Sequence, residues 1–171
     1  MALTLTLETG AGVAGANSYA SVAVADEHHY ARFDSASWQN ATIETKEAAL
    51  VWATRLLDEQ VEWTGTKKDK DNALRWPRYG AFDREGWSID TDTVPTEVQN
   101  ATAELARHLI DGDRAAEDDT LGFKRIKVGE IELEVDRTDR KDIIPRSVIS
   151  IIGPLGKVAS NRSQFVSLSR A

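Results

Sequence analysis

Gly10-Ala11-Gly12-Val13-Ala14-Gly15 spells GxGxxG directly after the alternating stretch Leu3–Glu8. That pattern cradles a pyrophosphate when its third glycine opens a helix packed on a parallel sheet. Here Asn17, Ser18 and Tyr19 intervene before the first helix cap, Ser21, and no series of alternating strands and helices follows, so no nucleotide site is expected. His28 and His29 could ligate a metal together with Asp26 or another nearby carboxylate. Adjacent residues on a helix point about 100° apart, no second histidine lies three or four residues away, and the third is His108. The pair is therefore read as packing or solvated, and no metal is expected. Asp69, Asp71 and Asn72 resemble the start of a calcium loop but lack the glycine and distal glutamate at their offsets.

Aromatic residues beside cations suit single-stranded nucleic acid, whose bases stack on rings while basic side chains follow the phosphates. Trp76 with Arg75 and Arg78 fits, as does Trp63 followed by Lys67 and Lys68. Asp69, Asp71, Asp83, Glu85, Asp90 and Asp92 surround them, and that acidity opposes phosphate binding. A buried Trp-Pro packing loop is the favoured reading of Trp76-Pro77. No Ser-His-Asp set, HExxH, nucleophile elbow or GxxxxGK[ST] occurs, and the chain is expected not to be an enzyme.

The elements that must carry these residues follow from periodicity. Leu3–Glu8 alternates as a half-buried strand does. Ser21 caps a helix over 22–32 with Ala25, His29 and Phe33 inward, and Trp38 falls in a polar connection. Ile43–Gln60 is a long helix, started by Thr42 or Thr45, with Ala49, Leu50, Ala53, Leu56 and Leu57 as its apolar stripe. Residues 74–94 form an aromatic loop expected to pack down. It feeds a helix that starts at Pro95, ends at Gly112 in a left-handed residue, and turns Val98, Ala101, Thr102, Leu105 and Leu109 to one face. Residues 123–136 read as a β-hairpin turning at Gly129-Glu130, and Pro145 to Ile152 as a short apolar helix.

With 171 residues the chain has the length of one domain. It contains no cysteine, so neither disulfides nor thiolate metal sites are available, and an intracellular setting is the simplest expectation. No apolar run approaches the roughly 20 residues that span a bilayer. The net charge of −7 is uneven: residues 1–136 hold 14 Lys and Arg against 26 Asp and Glu, residues 137–171 seven against two. An acidic body with a basic end points to an acidic partner surface for the tail, either protein or nucleic acid.

The order of Ala16-Asn17-Ser18-Tyr19 and Ser21, the helix Ala48–Leu57, Leu74-Arg75-Trp76-Pro77-Arg78, Val94-Pro95 and Val98, Ala101–Ala106 and the hairpin from Lys124 resembles one family. It is that of tailed-bacteriophage head–tail adaptors, the connector or head-completion proteins often labelled "putative DnaT-like". The resemblance covers most of residues 10–136. It implies a mainly α (α+β) fold, a small helical bundle with a projecting hairpin over residues 1–156 and an extended C-terminal arm over 157–171. It further implies a virion structural protein made in the host cytoplasm, with no cofactor and no membrane contact. Such subunits form a ring, typically of twelve, between the portal protein and a tail nozzle or stopper protein, and genomic DNA passes through without sequence-specific binding. On this reading Arg146, Lys157, Arg162, Phe165, Val166, Leu168 and Arg170 dock on the portal. Trp76, Pro77, Arg78, Tyr79 and Trp87 form a structural and subunit-contact loop. The alternative takes "DnaT-like" literally, as a single-stranded-DNA-binding replication accessory protein.

Overall fold

Ser21 is the first residue able to cap a helix, and in the computed structural model α1 (Val22–Tyr30) starts there, with Ser21 Oγ accepting from the Val24 amide at 3.3 Å. The structure describes residues 3–116, 125–128, 131–134 and 142–159. Before α1, Leu3–Glu8 makes only a single parallel bridge, Leu7 to Ser18, in place of a full strand. Ala25 and His29 face inward as expected, whereas Phe33 lies beyond the helix and is fully exposed.

Trp38 departs from its expected polar connection. It sits in a short helix, α2 (Ala36–Asn40), and is buried against the His29 ring at 5.0 Å. Its indole N–H donates to Asp26 Oδ1 at 2.8 Å, and the Lys46 ammonium lies over its ring. Neighbours from two other segments thus decide its burial.

α3 (Ile43–Gln60) has the bounds that its apolar spacing predicts, with Thr42 as its cap and Ala49, Leu50, Ala53, Leu56 and Leu57 buried. Each fully covered leucine there contributes about 1.5–3 kcal/mol. β1 (Val61–Trp63) follows at once. Next come β2 (Thr66–Lys67) and β3 (Arg78–Tyr79), an antiparallel pair with Thr66 opposite Tyr79.

α4 (Thr96–Asp111) is the central helix, packed on α1, α2, α3 and the later α5 (Arg146–Ile152). Such encirclement buries more than one face: Val98, Ala101, Thr102 and Leu105 are covered as expected, but so are Ala103, Glu104, Ala106 and Arg107. Leu109 is half-buried. Gly112 does cap the helix, though with φ 163° it is extended and not left-handed. β4 (Arg125–Val128) and β5 (Ile131–Glu134) pair antiparallel with Val128 opposite Ile131, the register of the expected hairpin. The turn residues Gly129 and Glu130 lie outside the described residues.

β6 (Gly156–Val158) follows α5 and a single 3-10 turn, Gly153–Leu155, and returns to pair antiparallel with β1, Trp63 opposite Gly156. A side chain at Gly156 would put its Cβ 2.5 Å from Val61 Cγ1, so the approach of these strands requires glycine. The boundary expected after residue 156 falls within β6. The fold is thus mixed α+β: among the described residues, five α-helices with two-stranded sheets at their margins.

Candidate functional site

The aromatic loop divides into a buried half and an exposed half. Trp76, joined to Pro77 by a cis peptide, is fully buried and meets Trp63 edge-to-face at 5.8 Å. The Arg78 guanidinium has no carboxylate within reach among the described residues and spends its donors on carbonyls: Nε to Thr64 at 2.7 Å, Nη1 to Arg75 at 3.0 Å, Nη2 to Gly65 at 2.7 Å and Trp63 at 3.3 Å. A planar fork is suited to stitching irregular backbone in this way. Trp76, Pro77 and Arg78 are consequently scaffold, and neither Trp76 nor Trp63 presents a free ring.

Beyond Arg78 the rings turn outward. Tyr79 is 49% exposed, Phe82 52% and Trp87 74%, although a packed-down loop was expected. Trp87 is held by a tight reversal: Asp83 Oδ1 accepts from the Glu85 amide at 2.9 Å and the Trp87 amide at 2.8 Å, and Phe82 bridges Ser88. Arg84 then fastens the reversal to α5 by donating to the Ser150 carbonyl. Lys70 and Arg75 are exposed on the adjoining segment and Lys68 is half-exposed.

The GxGxxG loop does form an anion cradle, and the chain fills it. Glu8 Oε1 accepts from the Gly10 and Gly12 amides at 2.8 and 2.9 Å, and Oε2 from Val13 at 2.9 Å. Successive amides aimed at one point bind anions. Here the anion is an internal, buried carboxylate. Gly10, at φ 101°, also lies so close to the Asp92 carbonyl that a Cβ there would collide with it.

A third cluster was missed in the sequence. Glu104, wholly buried on α4, faces α1 and the end of its own helix. Its Oε2 is paired with Arg32 and lies 3.6 Å from His28 Nε2; its Oε1 lies 3.3 Å from Arg107 Nη2 and 3.4 Å from His108 Nε2. Burial acts to raise the carboxyl pKa, but the neighbouring His108 and His28 imidazoles and the Arg32 guanidinium hold it well below the carboxylate range. His29 Nε2 donates to the Ala103 carbonyl at 3.0 Å, and burial lowers the His29 pKa to about 4. One candidate ligand atom from each of His28, His29 and Glu104 lies within 4.8 Å of the others. All three histidines therefore gather at one carboxylate. Glu104 and His108, four apart on one helix, were the available sequence signal.

Of the basic and apolar residues singled out near the C-terminus, Arg146 is exposed at the start of α5 and Lys157 is exposed in β6 opposite Glu62. Arg162, Phe165, Val166, Leu168 and Arg170 lie outside the described residues.

No curated protein and no solved structure matches the chain. A family model described as "Putative DnaT-like ssDNA binding protein" matches residues 3–171. This corrects the head–tail adaptor resemblance, and with it the portal, the tail protein, the twelve-subunit ring and the passive passage of DNA as partners. The physical reason is in the residues that carried the resemblance. Ala16, Tyr19, Trp76, Val98 and Leu105 are core, and core residues report a fold without reporting its use.

Proposed function

Because this chain belongs to the DnaT-like single-stranded-DNA-binding family, we propose that it binds single-stranded DNA by stacking bases on Trp87, Phe82 and Tyr79. The match across residues 3–171 carries the reading; the three exposed rings are what supports placing the contact. Exposed aromatic surface on a reversal fastened at both ends is already ordered, so little freedom is lost when a base covers it. The family is described by binding and not by a reaction.

Charge shapes the mode. A protein of net charge −7 gains little from phosphate neutralisation, so stacking supplies most of the affinity. Lys68, Lys70 and Arg75 offer solvent-accessible cations on the segment that precedes the rings in the chain, and Arg146 and Lys157 add exposed positive charge on α5 and β6. Arg162 and Arg170 extend the basic end in sequence. Duplex DNA hides its base faces and concentrates charge, one per about 1.7 Å of axis, so single strands are preferred.

The test is fluorescence anisotropy of a labelled oligo-dT and of the matching duplex, with Trp fluorescence followed in parallel. Binding of oligo-dT with quenching, and much weaker binding of duplex, is expected. Absence of oligo-dT binding at low salt overturns the reading.

A further inference from the structure

We propose that His28, His29 and Glu104 form a binding site for one divalent ion of the zinc class, with the Arg32 side chain as its gate. The tautomer of His29 is fixed by the structure. Only an N–H can bond the Ala103 carbonyl, so Nε2 carries the hydrogen and Nδ1 the lone pair. That Nδ1 is buried with no hydrogen-bond partner, and so is His28 Nε2. Leaving a buried polar atom unsatisfied costs about 1–3 kcal/mol. Two such nitrogens on neighbouring histidines, one of them 3.6 Å from the Glu104 carboxylate, call for an explanation, and a metal ion satisfies all three groups.

The donor set selects the ion. Two imidazoles and a carboxylate, with no cysteine anywhere in the chain, suit Zn2+ and its neighbours, whereas Ca2+ and Mg2+ want oxygen alone. A backbone carbonyl on the far nitrogen of a ligating imidazole is the support such sites use, and Ala103 provides it for His29. Ligands on tetrahedral zinc sit about 3.4 Å apart. One nitrogen from each imidazole and a Glu104 oxygen already lie within 4.8 Å of one another, so a modest adjustment of the three side chains brings them to that spacing.

Arg32 stands where the cation would. It holds Glu104 Oε2, and its side chain is 36% exposed, so it can turn to water without stranding a buried charge. Arg107 remains, pairing Glu104 Oε1 and, at 3.5 Å, Asp111. With Arg32 gone, two carboxylates face one guanidinium, and the pocket favours a cation. His108 and Ser147, in contact at 3.3 Å, close the far side. The ion ties α1 to α4, next to the junction with α5.

Zinc chloride titrated calorimetrically into the untagged, metal-free full chain tests this, with Co2+ absorption reporting the coordination geometry. One ion per chain is expected, with the visible band of a four- or five-coordinate nitrogen and oxygen site. R32Q should tighten binding about tenfold by removing the rival cation, and H28Q should weaken it about tenfold or more. Thermal melts of the metal-free variants check that each folds. Should H28Q not fold, the 15N shifts of the His28 and His29 ring nitrogens in the wild type, with and without Zn2+, replace it. Absence of binding in both wild type and R32Q overturns the site, as does binding undiminished by H28Q or ring shifts that zinc leaves unmoved. Equal affinity in wild type and R32Q overturns the gate.

Discussion

The Tyr19 hydroxyl donates to Asp58 Oδ1 at 2.7 Å, tying the segment before α1 to the last turn of α3. The same hydroxyl accepts from the Arg75 and Trp76 amides at 3.0 and 3.2 Å, and Asp58 also receives the Trp63 indole N–H at 3.1 Å. One buried pair thus fixes the entry to the aromatic loop. Burial foremost, then the charge and hydrogen bond of Asp58, raise the Tyr19 pKa well above 10.0. Above about pH 10 an unfolded tyrosine releases its proton while the folded Tyr19 keeps it, so folding stability falls as pH rises through that range. Denaturant unfolding followed from pH 8 to pH 11 should show this alkaline decline. Tyr19→Phe should lower stability at neutral pH by about 1–3 kcal/mol, since the buried Trp76 amide loses its acceptor and Asp58 loses a donor while the Arg75 amide keeps Asp58 Oδ2, and should flatten the decline.

Glu8 makes a comparable prediction for the glycine loop. In Glu8→Gln, one side-chain oxygen becomes an NH2 and can no longer accept from amides. Either the Gly10 and Gly12 pair or Val13 is left facing a donor. A loss of about 2–3 kcal/mol is expected in chemical denaturation, because the bonds given up are to a buried charge. A neutral effect would mean that the loop holds its shape through the glycines alone.

Much of the architecture was legible because local signals agreed with the tertiary result. Thr42 and the three-and-four spacing of Ala49, Leu50, Ala53 and Leu57 set α3 at its observed ends. Trp38 was not legible, since a five-residue helix is too short to show a period, and its burial depends on Asp26, His29 and Lys46. The aromatic loop gave ring content without ring orientation. Hydrophobicity cannot separate Trp76, under Trp63, from Trp87, turned outward by the Asp83 reversal. The Glu104 cluster was not legible because His28, on α1, and Arg32, just after it, come from far back in the chain. The adaptor reading failed for a related cause: the residues that carried it are those that make the core.

Arg78 separates scaffold from binding surface. Arg78→Lys keeps the charge but cannot reach four carbonyls with a planar fork, so a loss of about 2 kcal/mol is expected in denaturant unfolding. Oligo-dT affinity of the folded variant should be unchanged, because Arg78 is buried and presents nothing to a ligand. A selective loss of DNA affinity with stability intact would place Arg78 in the contact and contradict its role as scaffold.

Trp87 should behave in the opposite way. Its ring is 74% exposed, and what the fold uses at this position is the backbone: the amide bound by Asp83 Oδ1 and the carbonyl bound by the Asp83 amide at 2.9 Å. Trp87→Ala keeps both, so its unfolding midpoint should stay close to wild type. The stacking surface is removed, and one base–aromatic stack is worth about 1–3 kcal/mol, or about 5- to 150-fold in affinity. The salt dependence distinguishes this loss from an electrostatic one. Removing a ring releases no counterion, so the slope of log K against log salt should match wild type while the whole line drops. Lys70→Ala should instead make the slope shallower, with the loss of affinity largest at low salt and fading as salt rises. If Trp87→Ala leaves oligo-dT affinity unchanged, the rings are not the contact, and the basic C-terminal end becomes the surface to mutate next.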